Sequence, residues 1–562
     1  MPAELSSSFK RDQIRERIEK WVDALQNGYR QNIGLIGPEG FGKTHLLNAI
    51  YQTLSSRSSL LPIYVNAEVL DYDHLIDRWL HALLAGFFLT QNPKSDLPED
   101  FQAALAQAEG VIPQTVEKIR RFKKMLRRGE KNAASARELF SLTNVLAEEM
   151  GKKVVLMIDE FQGLEHVPSP DPFALLGKEI MVEKETLYLV TSSCPRKARE
   201  IFHDKLSLLF GNFEVIEMLP WGFEEVVDFL KRRMPVRHFT DAQKKFIIYM
   251  TDGIPAYLEL LLERLQCLDL GEREEVSTEN LLTAFHQEFF DLHGRMFLRF
   301  EGRLKLYGKF SKDNAPYFRA LLAISEGRRK VLGISTYIGK KIRETKKILH
   351  RLVQEEVIAK RGSFYALEDP LFRFWLREVF QKKNQLHQPH LESLKVSLSG
   401  ALEQAFRQVE AEARVDVTVR AENLFKEFRN DLVEVDQRKI CCPHFSEIAF
   451  RPSNGRLFPL LARKANVRWI CQIAREPIHE EDVTFFLDEM KHYRKKIQRK
   501  ILVALAGIDQ NAKLMAQQAE IQIWDLRNFN ALLDLYNLPK IILMRGEDGS
   551  SVGAVAQSVL TA

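Results

Sequence analysis

The amino-acid sequence predicts an α/β fold that starts with a parallel β-sheet and continues into helical and then mixed α/β regions. Two observations predict it. Short apolar runs alternate with segments of helical spacing over the first 220 residues, which is typical of a parallel sheet covered on both faces. The strand signal is then lost over 221–305 and returns in the last third of the chain.

The elements follow from the spacing of apolar residues. Residues 9–28 carry an apolar stripe at helical spacing, so a helix is expected there. A second helix is predicted from His45 onward, and 69–150 has mostly helical spacing. The apolar runs that predict the strands of the sheet are 33–36, 61–67, 154–160, 186–193 and 213–218.

Composition restricts the class of protein. The chain has 562 residues, which corresponds to roughly three to five domains, and 45% hydrophobic residues. Its 5 cysteines are sparse and odd in number, which argues against a disulfide framework. No apolar run approaches the roughly 18 residues of a membrane span, and the N-terminus lacks the apolar core of a signal peptide. We therefore expect a cytoplasmic protein with no membrane association.

A glycine-rich segment lies between the first predicted strand and the following helix. It fits G-x-x-x-x-G-K-[ST] at every fixed position, and an ordinary glycine-rich turn is the alternative. Glycines let backbone N–H groups point at phosphate oxygens, the lysine adds a positive charge, and the threonine hydroxyl is a ligand for Mg²⁺. The predicted nucleotide-binding residues are Gly37, Pro38, Glu39, Gly40, Phe41, Gly42, Lys43, Thr44 and His45.

Two acidic residues end the predicted strand at 154–160. Asp159 at the end of a strand is suited to Mg²⁺ together with Thr44, and the adjacent Glu160 is suited to orienting or deprotonating the attacking water. A strand that merely ends in acids on reaching solvent is the alternative. We predict ATP and Mg²⁺ as cofactors, with Glu160 and Lys43 as the catalytic residues.

Polar residues also end the next strand. Thr191, Ser192 and Ser193 would lie between the acidic pair and the terminal phosphate, where one of them could sense that phosphate. Because Ser and Thr end strands routinely, the sequence does not choose among the three.

These segments, together with others, resemble one known family. GPEGFGKTHLL (37–47), IDEFQGL (158–164), LVTSS (189–193) and TDGIPAYLELL (251–261) are similar to the archaeal-type ATPases, a branch of AAA+-like P-loop ATPases related to the STAND NTPases. YALEDPLFRFWLREVF (365–380) resembles the segment that follows the winged helix in that family. The resemblance covers roughly 30–545.

The resemblance implies further roles. Gly253 and Pro255 match the G-x-P turn of the family's lid, which makes them additional sensor candidates, although a simple helix start is the alternative. Many relatives carry a Gly-Arg pair before the fifth strand, where this chain has Gly211-Asn212. Arginine-finger catalysis in an oligomer is therefore in doubt, with Arg196 and Arg199 as nearby substitutes.

Residues 317–368 have the helix–helix–helix–wing order of a winged helix-turn-helix. In the third helix, Ile342, Ile348, Leu349 and Leu352 are expected to face inward. Basic residues on the other side could neutralise phosphates of double-stranded DNA, and a solvated basic face is the alternative. The DNA-binding candidates are Lys340, Lys341, Arg343, Lys346 and Lys347.

The last third of the chain resembles the PD-(D/E)xK restriction-endonuclease-like domain found in some archaeal-type ATPases. An active nuclease needs an acid and a lysine two positions later on the central strand, where this chain has Gln472 and Ala474. We therefore expect a degenerate domain, and nuclease activity is unlikely.

The predicted domains are a P-loop ATPase core (1–220), a helical lid (221–305), a winged-helix domain (306–385), the nuclease-like α/β domain (395–545) and a disordered tail (546–562). Two functions fit this order. One is an AAA+/STAND-like ATPase that acts as a nucleotide-driven switch on DNA. The other is a STAND-like signalling or defence NTPase that controls a protein partner or forms a homo-oligomer, with DNA binding incidental.

Overall fold

The computed structural model describes twelve parts of the chain, and these divide into two compact units. The N-terminal unit comprises 8–220 and 254–256, and the C-terminal unit comprises 221–253 and the chain from 257 onward. The finer predicted domain boundaries stay predictions, and the predicted tail 546–562 and the pair Gly211-Asn212 lie outside the described residues. The described residues are 7–68, 71–91, 98, 100–206, 213–268, 274–307, 314–385, 391–435, 438–450, 457–464, 467–491 and 497–543.

The N-terminal unit is an α/β structure around one five-stranded sheet. The strand order is β2-β3-β4-β1-β5 and every pairing is parallel, which confirms the predicted α/β class. Its elements are α1 (Ser7–Gln26), β1 (Asn32–Ile36), α2 (Lys43–Ser55), β2 (Leu60–Asn66), α3 (Tyr72–Gln91), α4 (Phe101–Ala108), α5 (Pro113–Arg127), α6 (Ala133–Met150), β3 (Lys153–Asp159), α7 (Pro172–Val182), β4 (Thr186–Ser192), α8 (Pro195–Glu200) and β5 (Phe213–Glu217).

Both faces of this sheet are buried, which is why its strands are continuously apolar. Successive side chains of β3 alternate between two cores: Leu156 and Ile158 pack with Trp79 on one face, and Val155 and Met157 pack on the other. The continuous apolar run 154–158 is therefore the expected sequence for a central strand.

The C-terminal unit is helical first and mixed α/β later. The predicted helical character of 221–305 is confirmed by α9 to α13. The elements are α9 (Phe223–Arg233), α10 (Asp241–Thr251), α11 (Pro255–Gln266), α12 (Thr278–Phe285), α13 (Arg295–Tyr307), α14 (Ala315–Ser325), α15 (Val331–Ile338), α16 (Ile342–Gln354), β6 (Ala359–Arg361), β7 (Phe364–Ala366), α17 (Pro370–Trp375), α18 (Gln381–Gln385), α19 (Leu391–Ala413), α20 (Val417–Glu427), β8 (Asp431–Val435), β9 (Arg438–Cys442), β10 (Glu447–Phe450), β11 (Leu457–Lys464), β12 (Val467–Ala474), α21 (Glu480–Lys491), β13 (Arg499–Ala504), α22 (Gln510–Gln518), β14 (Ile521–Asp525) and α23 (Leu526–Leu535).

The segment predicted to be a winged helix contains three helices, α14 to α16, followed by the antiparallel hairpin β6–β7. The prediction that Ile342 faces inward is wrong, because its side chain is 47% exposed. Thr345 is instead fully buried, and Ile348 and Leu349 nearby are also buried. Ile342 is the first residue of α16, so it extends past the neighbouring helices that cover this face. The interpretation of the segment as a winged helix stays a prediction.

The last sheet has the order β10-β11-β12-β13-β14. Strand β11 is antiparallel to both neighbours, and β12, β13 and β14 are parallel. Helix α19 includes residue 395, where the nuclease-like domain was predicted to begin. Its Phe406 packs on Phe246 of α10 with ring centroids 5.2 Å apart. Within the described ranges, every helix is too short or too polar to cross a lipid bilayer.

Candidate nucleotide-binding site

The glycine-rich loop joins β1 to α2 at the carboxyl edge of the sheet. Gly40 and Gly42 have φ of 86° and 82°, a region that side chains disfavour, so glycine is required for this curl. Gly37 N–H donates to the Ser192 carbonyl at 3.2 Å, which anchors the start of the loop to β4. The first N–H groups of α2, from Lys43 onward, have no partner within the helix and are suited to an anion.

Lys43 lies inside the loop and is 4% exposed. Its ammonium donates to the carbonyls of Gly37 at 2.7 Å and Pro38 at 2.9 Å, which leaves one of its three N–H donors for a ligand. Burial lowers the pKa of Lys43, and the nearby carboxylates of Glu160 and Asp159 oppose that shift. The loop is thus folded around a single buried cation.

Asp159 is the centre of a cluster of hydroxyl groups. Thr44 Oγ1 donates to Asp159 Oδ2 at 2.8 Å, and Tyr64 Oη donates to the same oxygen at 2.9 Å. The Thr191 hydroxyl donates to Asp159 Oδ1. Asp159 is 1% exposed, so these three neutral donors are its principal compensation for burial. Thr44 and Asp159 are 115 residues apart in the sequence and are in contact in the fold, as predicted.

Glu160 follows directly and is held in a strained conformation. Its φ is 53°, in the left-handed region, which costs a non-glycine residue on the order of 1–3 kcal/mol and is most often retained at functional sites. Its Oε2 accepts from Gln162 Nε2 at 2.6 Å, from Ser193 N at 2.9 Å and from Ser193 Oγ at 2.6 Å. These donors fix the carboxylate and leave Oε1 as the atom to accept from water.

The three polar residues that end β4 have different surroundings. Thr191 contacts Asp159, and Ser193 contacts Glu160. The Ser192 hydroxyl instead accepts from Cys194 N at 3.1 Å, away from both acids. The geometry therefore favours Thr191 and Ser193 over Ser192 among the three, and the sensing role itself stays a prediction.

The Gly-x-Pro turn lies against the phosphate loop. Ala256 N–H donates to the Gly40 carbonyl at 3.2 Å, and a Cβ added to Gly40 would lie 3.3 Å from Ile254. Gly253 has a φ of 69°, and a Cβ there would lie 2.0 Å from the Trp221 carbonyl oxygen, so glycine is required. Pro255 is the first residue of α11, as predicted.

Three residues near the site were missed by the sequence analysis. Nothing in the sequence marked Tyr64 as a site residue, because it is brought to Asp159 by the pairing of β2 with β3. Burial and the nearby Asp159 raise the pKa of the Tyr64 hydroxyl. Gln162 lies within IDEFQGL, and its position two residues after Glu160 was the available signal. Arg11 of α1 approaches the loop, with Nη1 2.6 Å from the position of a Cβ on Gly42 and Nη2 donating to the Leu219 carbonyl at 3.4 Å.

The predicted DNA-binding residues lie on the exposed side of α16 and the turn before it. Lys340 is 3.9 Å from Glu344, the residue one turn further along. The other four, which are Lys341, Arg343, Lys346 and Lys347, have exposed side chains and no ion-pair partner within the described ranges. Of the two substitutes for an arginine finger, Arg199 is paired with Glu217 at 2.9 Å.

The position at which the resemblance to nucleases predicted a missing carboxylate holds a fully buried amide. Gln472 lies on β12, the middle strand of the last sheet, and its Nε2 donates to Glu489 of α21. Ala474 is also buried. Within the part of the chain that the structure describes, no cluster of three His, Cys, Asp or Glu side chains could hold a metal ion.

Comparison with known proteins gives distant similarities only. No family model matches the chain. No curated protein matches it. The Aeropyrum pernix ORC2 protein, in ADPNP–ADP complexes, is 14% identical with a TM-score of 0.44, covering 68% of this chain and 96% of that one. The Aeropyrum pernix ORC1 protein in complex with DNA is 14% identical with a TM-score of 0.36, covering 69% and 95%. The Thermotoga maritima RuvB Holliday junction branch migration motor is 14% identical with a TM-score of 0.31, covering 66% and 95%. TM-scores at this level do not by themselves establish a common fold.

Proposed function

We propose that this chain binds and hydrolyses ATP as an AAA+/STAND-like ATPase and acts as a nucleotide-driven switch on double-stranded DNA. The observation that carries the proposal is the 2.8 Å contact between Thr44 Oγ1 and Asp159 Oδ2 beside the buried ammonium of Lys43. A lysine and a hydroxyl at the start of α2, with a carboxylate at the end of β3, form the arrangement expected for a triphosphate and its metal ion.

The loop residues account for nucleotide binding. The N–H groups at the start of α2 are suited to a phosphate, and the remaining N–H donor of Lys43 would add a charge-assisted hydrogen bond to it. A side chain at Gly40 would have to adopt an unfavourable φ and would lie close to Ala256 and Ile254, so the loop has little room to rearrange.

The oxygen atoms of Thr44 and Asp159 fit Mg²⁺, which prefers such ligands. When bound, the ion would offset negative charge on the phosphate oxygens. The hydroxyls of Tyr64 and Thr191 fix the orientation of the Asp159 carboxylate. Because these hydroxyls are neutral, they do not offset the negative charge with which the Asp159 carboxylate would bind a cation.

Glu160 is the residue we assign to the attacking water. Its Oε2 is occupied by Gln162 and Ser193, and its Oε1 can accept a proton or a hydrogen bond from water. Ser193 connects this carboxylate to the end of β4, so a change at the phosphate end of the site would reach Glu160 through that contact. We therefore propose Ser193, together with Thr191, as sensor residues of the site.

The unpaired cations of α16 support DNA as the partner. Lys341, Arg343, Lys346 and Lys347 are exposed and have no ion-pair partner among the described residues, so their charge complements that of a phosphate backbone. The alternative is a signalling or defence NTPase of the STAND type, in which the same ATPase site controls assembly with a protein partner. The Gly-x-Pro turn on the loop supports either version equally, because both need nucleotide state to move the region that follows.

The test is ATP binding and turnover of the full chain with and without double-stranded DNA. Lys43→Ala should abolish nucleotide binding, because it removes the cation inside the loop. Glu160→Gln should retain ATP binding while turnover falls by about 10²- to 10⁴-fold, the usual contribution of a general base. Measurable ATP affinity in Lys43→Ala would contradict the assigned loop. DNA-stimulated turnover would favour the DNA switch over the signalling alternative.

A further inference from the structure

The tip of the β6–β7 hairpin is covered by another part of the C-terminal unit. The N–H of Ser363 donates to the carbonyl of Leu432 on β8 at 2.7 Å. A Cβ added to Gly362, whose φ is 71°, would lie 2.2 Å from that same carbonyl oxygen. The turn of the hairpin is thus in backbone-to-backbone contact with β8, and no side chain fits between them.

Two side chains of β7, those of Phe364 and Ala366, are buried in the core of the last α/β region. Phe364 is 2% exposed and packs edge-on against Tyr536 with ring centroids 5.1 Å apart. Ala366 belongs to the same core as Val433 and Trp524. The apolar side of the hairpin is therefore already covered within the chain.

Ion pairs hold the two regions together on either side of the hairpin. Lys330 Nζ donates to Asp431 Oδ1 at 2.7 Å, one residue before Leu432. Arg329 donates to both carboxylate oxygens of Asp534, at 3.0 and 3.2 Å, and Arg373 donates to Asp534 at 2.8 Å. Moving the hairpin tip away from β8 would therefore separate these charges, unless the partner residues moved together with the hairpin.

We propose that β8 keeps the tip of the hairpin occupied while DNA is bound, so that α16 and the turn before it contact the phosphate backbone without the hairpin. This inference rests on the proposed DNA-binding function and specifies its surface. The partner is duplex DNA recognised through its phosphates, because the available groups are cations on one exposed helix face.

The distribution of cations supports this surface. The hairpin has two basic residues, and Arg361 is paired with Glu368 at 2.5 Å. Lys360 is exposed and has no partner among the described residues, as is true of Lys346 and Lys347 on α16. Lys360 is therefore a matched control: the same residue type, equally exposed, on the hairpin instead of the helix.

The experiment measures the affinity of the full chain for a short DNA duplex over a series of salt concentrations. Each of Lys346→Ala and Lys347→Ala should reduce the slope of log affinity against log salt by about 1, because each removes one phosphate contact. Lys360→Ala should leave both affinity and slope unchanged. Because all three side chains are exposed, none of these substitutions is expected to alter folding.

The outcomes separate the two levels of the proposal. If Lys360→Ala lowers the slope as much as Lys346→Ala does, the hairpin contacts DNA and the inference is overturned while the DNA-binding function stands. If Lys346→Ala and Lys347→Ala both keep the wild-type slope, α16 is not the contact surface and the inference is again overturned. If the unsubstituted chain shows no salt-dependent affinity for the duplex, the DNA part of the proposed function fails and this inference fails with it.

Discussion

Two enclosed aspartates, one in each unit, have opposite surroundings. Asp159 is 1% exposed and accepts hydrogen bonds from the hydroxyls of Thr44, Tyr64 and Thr191. Asp534 has a side chain that is 20% exposed and is bound by the guanidinium groups of Arg329 and Arg373. Hydroxyls satisfy the oxygens of Asp159 without cancelling its charge, whereas two arginines more than cancel the charge of Asp534.

The difference separates a carboxylate that is available for a ligand from one that holds the fold together. Burial alone would raise the pKa of Asp534, but Arg373, Arg329 and Lys540 hold it well below the usual value of a carboxyl group. Asp534 is therefore ionised wherever the protein is folded at ordinary pH, and its charge is balanced within the chain. Asp159 has Lys43 as a nearby cation, but that ammonium donates to the loop carbonyls instead.

Among substitutions of these carboxylates, Asp159→Asn should have the largest effect. Removing this charge removes the attraction for a metal ion, which is worth several kcal/mol in the transition state, so ATP turnover should fall by about 10³-fold. The asparagine can still accept from Thr44 and Tyr64, so the free energy of unfolding should change by less than about 1 kcal/mol. Phosphate release and urea unfolding measure the two quantities.

An exposed aspartate of the same unit provides the control. Asp73 pairs with Lys131 at 2.7 Å on the surface, so Asp73→Asn should leave turnover unchanged. Wild-type turnover in Asp159→Asn would show that this carboxylate is not the metal ligand.

How much of this comparison the sequence could predict depends on chain distance. The loop, Lys43 and Thr44 are local, and the helix that follows a glycine-rich turn positions them whatever the rest of the chain does. Asp159 was predictable because an acid at the end of an apolar strand has a known place in a parallel sheet. Tyr64 was not, because its contact depends on β2 lying beside β3, and strand order is not written in either segment.

The surroundings of Asp534 were beyond sequence reasoning for a related reason. Its partner Arg329 is 205 residues away, and the helix that carries Asp534 shows only an acid within the apolar stretch LLDLY. The same limit applies to the hairpin. The sequence predicted a wing at this place, but it did not predict the contact between the hairpin tip and β8. Predicting these contacts would require knowing how α23 and β8 pack on the region from α14 to α17.

A smaller but still large effect is expected for Asp534→Asn. The amide cannot neutralise Arg329, whose side chain is 4% exposed, and breaking a buried ion pair by removing one partner typically costs about 3–5 kcal/mol. The unfolding free energy of the full chain in urea measures this loss. ATP turnover, measured at a temperature at which the variant is folded, should be retained because Asp534 lies outside the nucleotide site.

The control for that substitution is an aspartate with a cation on the surface. Asp488 pairs with Lys491 at 2.7 Å, and both side chains are more than half exposed. Asp488→Asn should cost at most about 1 kcal/mol, as surface pairs do. Equal losses in the two variants would mean that the enclosure of Asp534 adds nothing, and the comparison of the two aspartates would lose its basis.

The smallest effect concerns a third buried carboxylate, Glu183, which accepts from one hydroxyl, that of Tyr188, and has no ion pair among the described residues. Burial is the main cause that raises the pKa of Glu183 to about 7, and the nearby carboxylates of Glu179 and Glu148 raise it further. The hydrogen bond from Tyr188 at 2.5 Å and the charge of Arg30 oppose this rise. The unfolded value for a glutamate is about 4.3, so the stability from the protonated form is fully present below about pH 4.3 and is lost as the pH rises through about 7.

Glu183→Gln should keep the hydrogen bond without ionising, so its stability relative to the wild type should rise between about pH 4.3 and about 7 and stay level above that. Urea unfolding at several pH values across that interval measures the difference. Glu185→Gln is the control, because Glu185 is 43% exposed and pairs with Lys153, so its relative stability should show no such rise. A flat difference for Glu183→Gln would mean that Glu183 is as well compensated as Asp534, although Tyr188 is the only described hydrogen-bond donor to its carboxylate. In that case burial without a cation would not suffice to distinguish the three carboxylates.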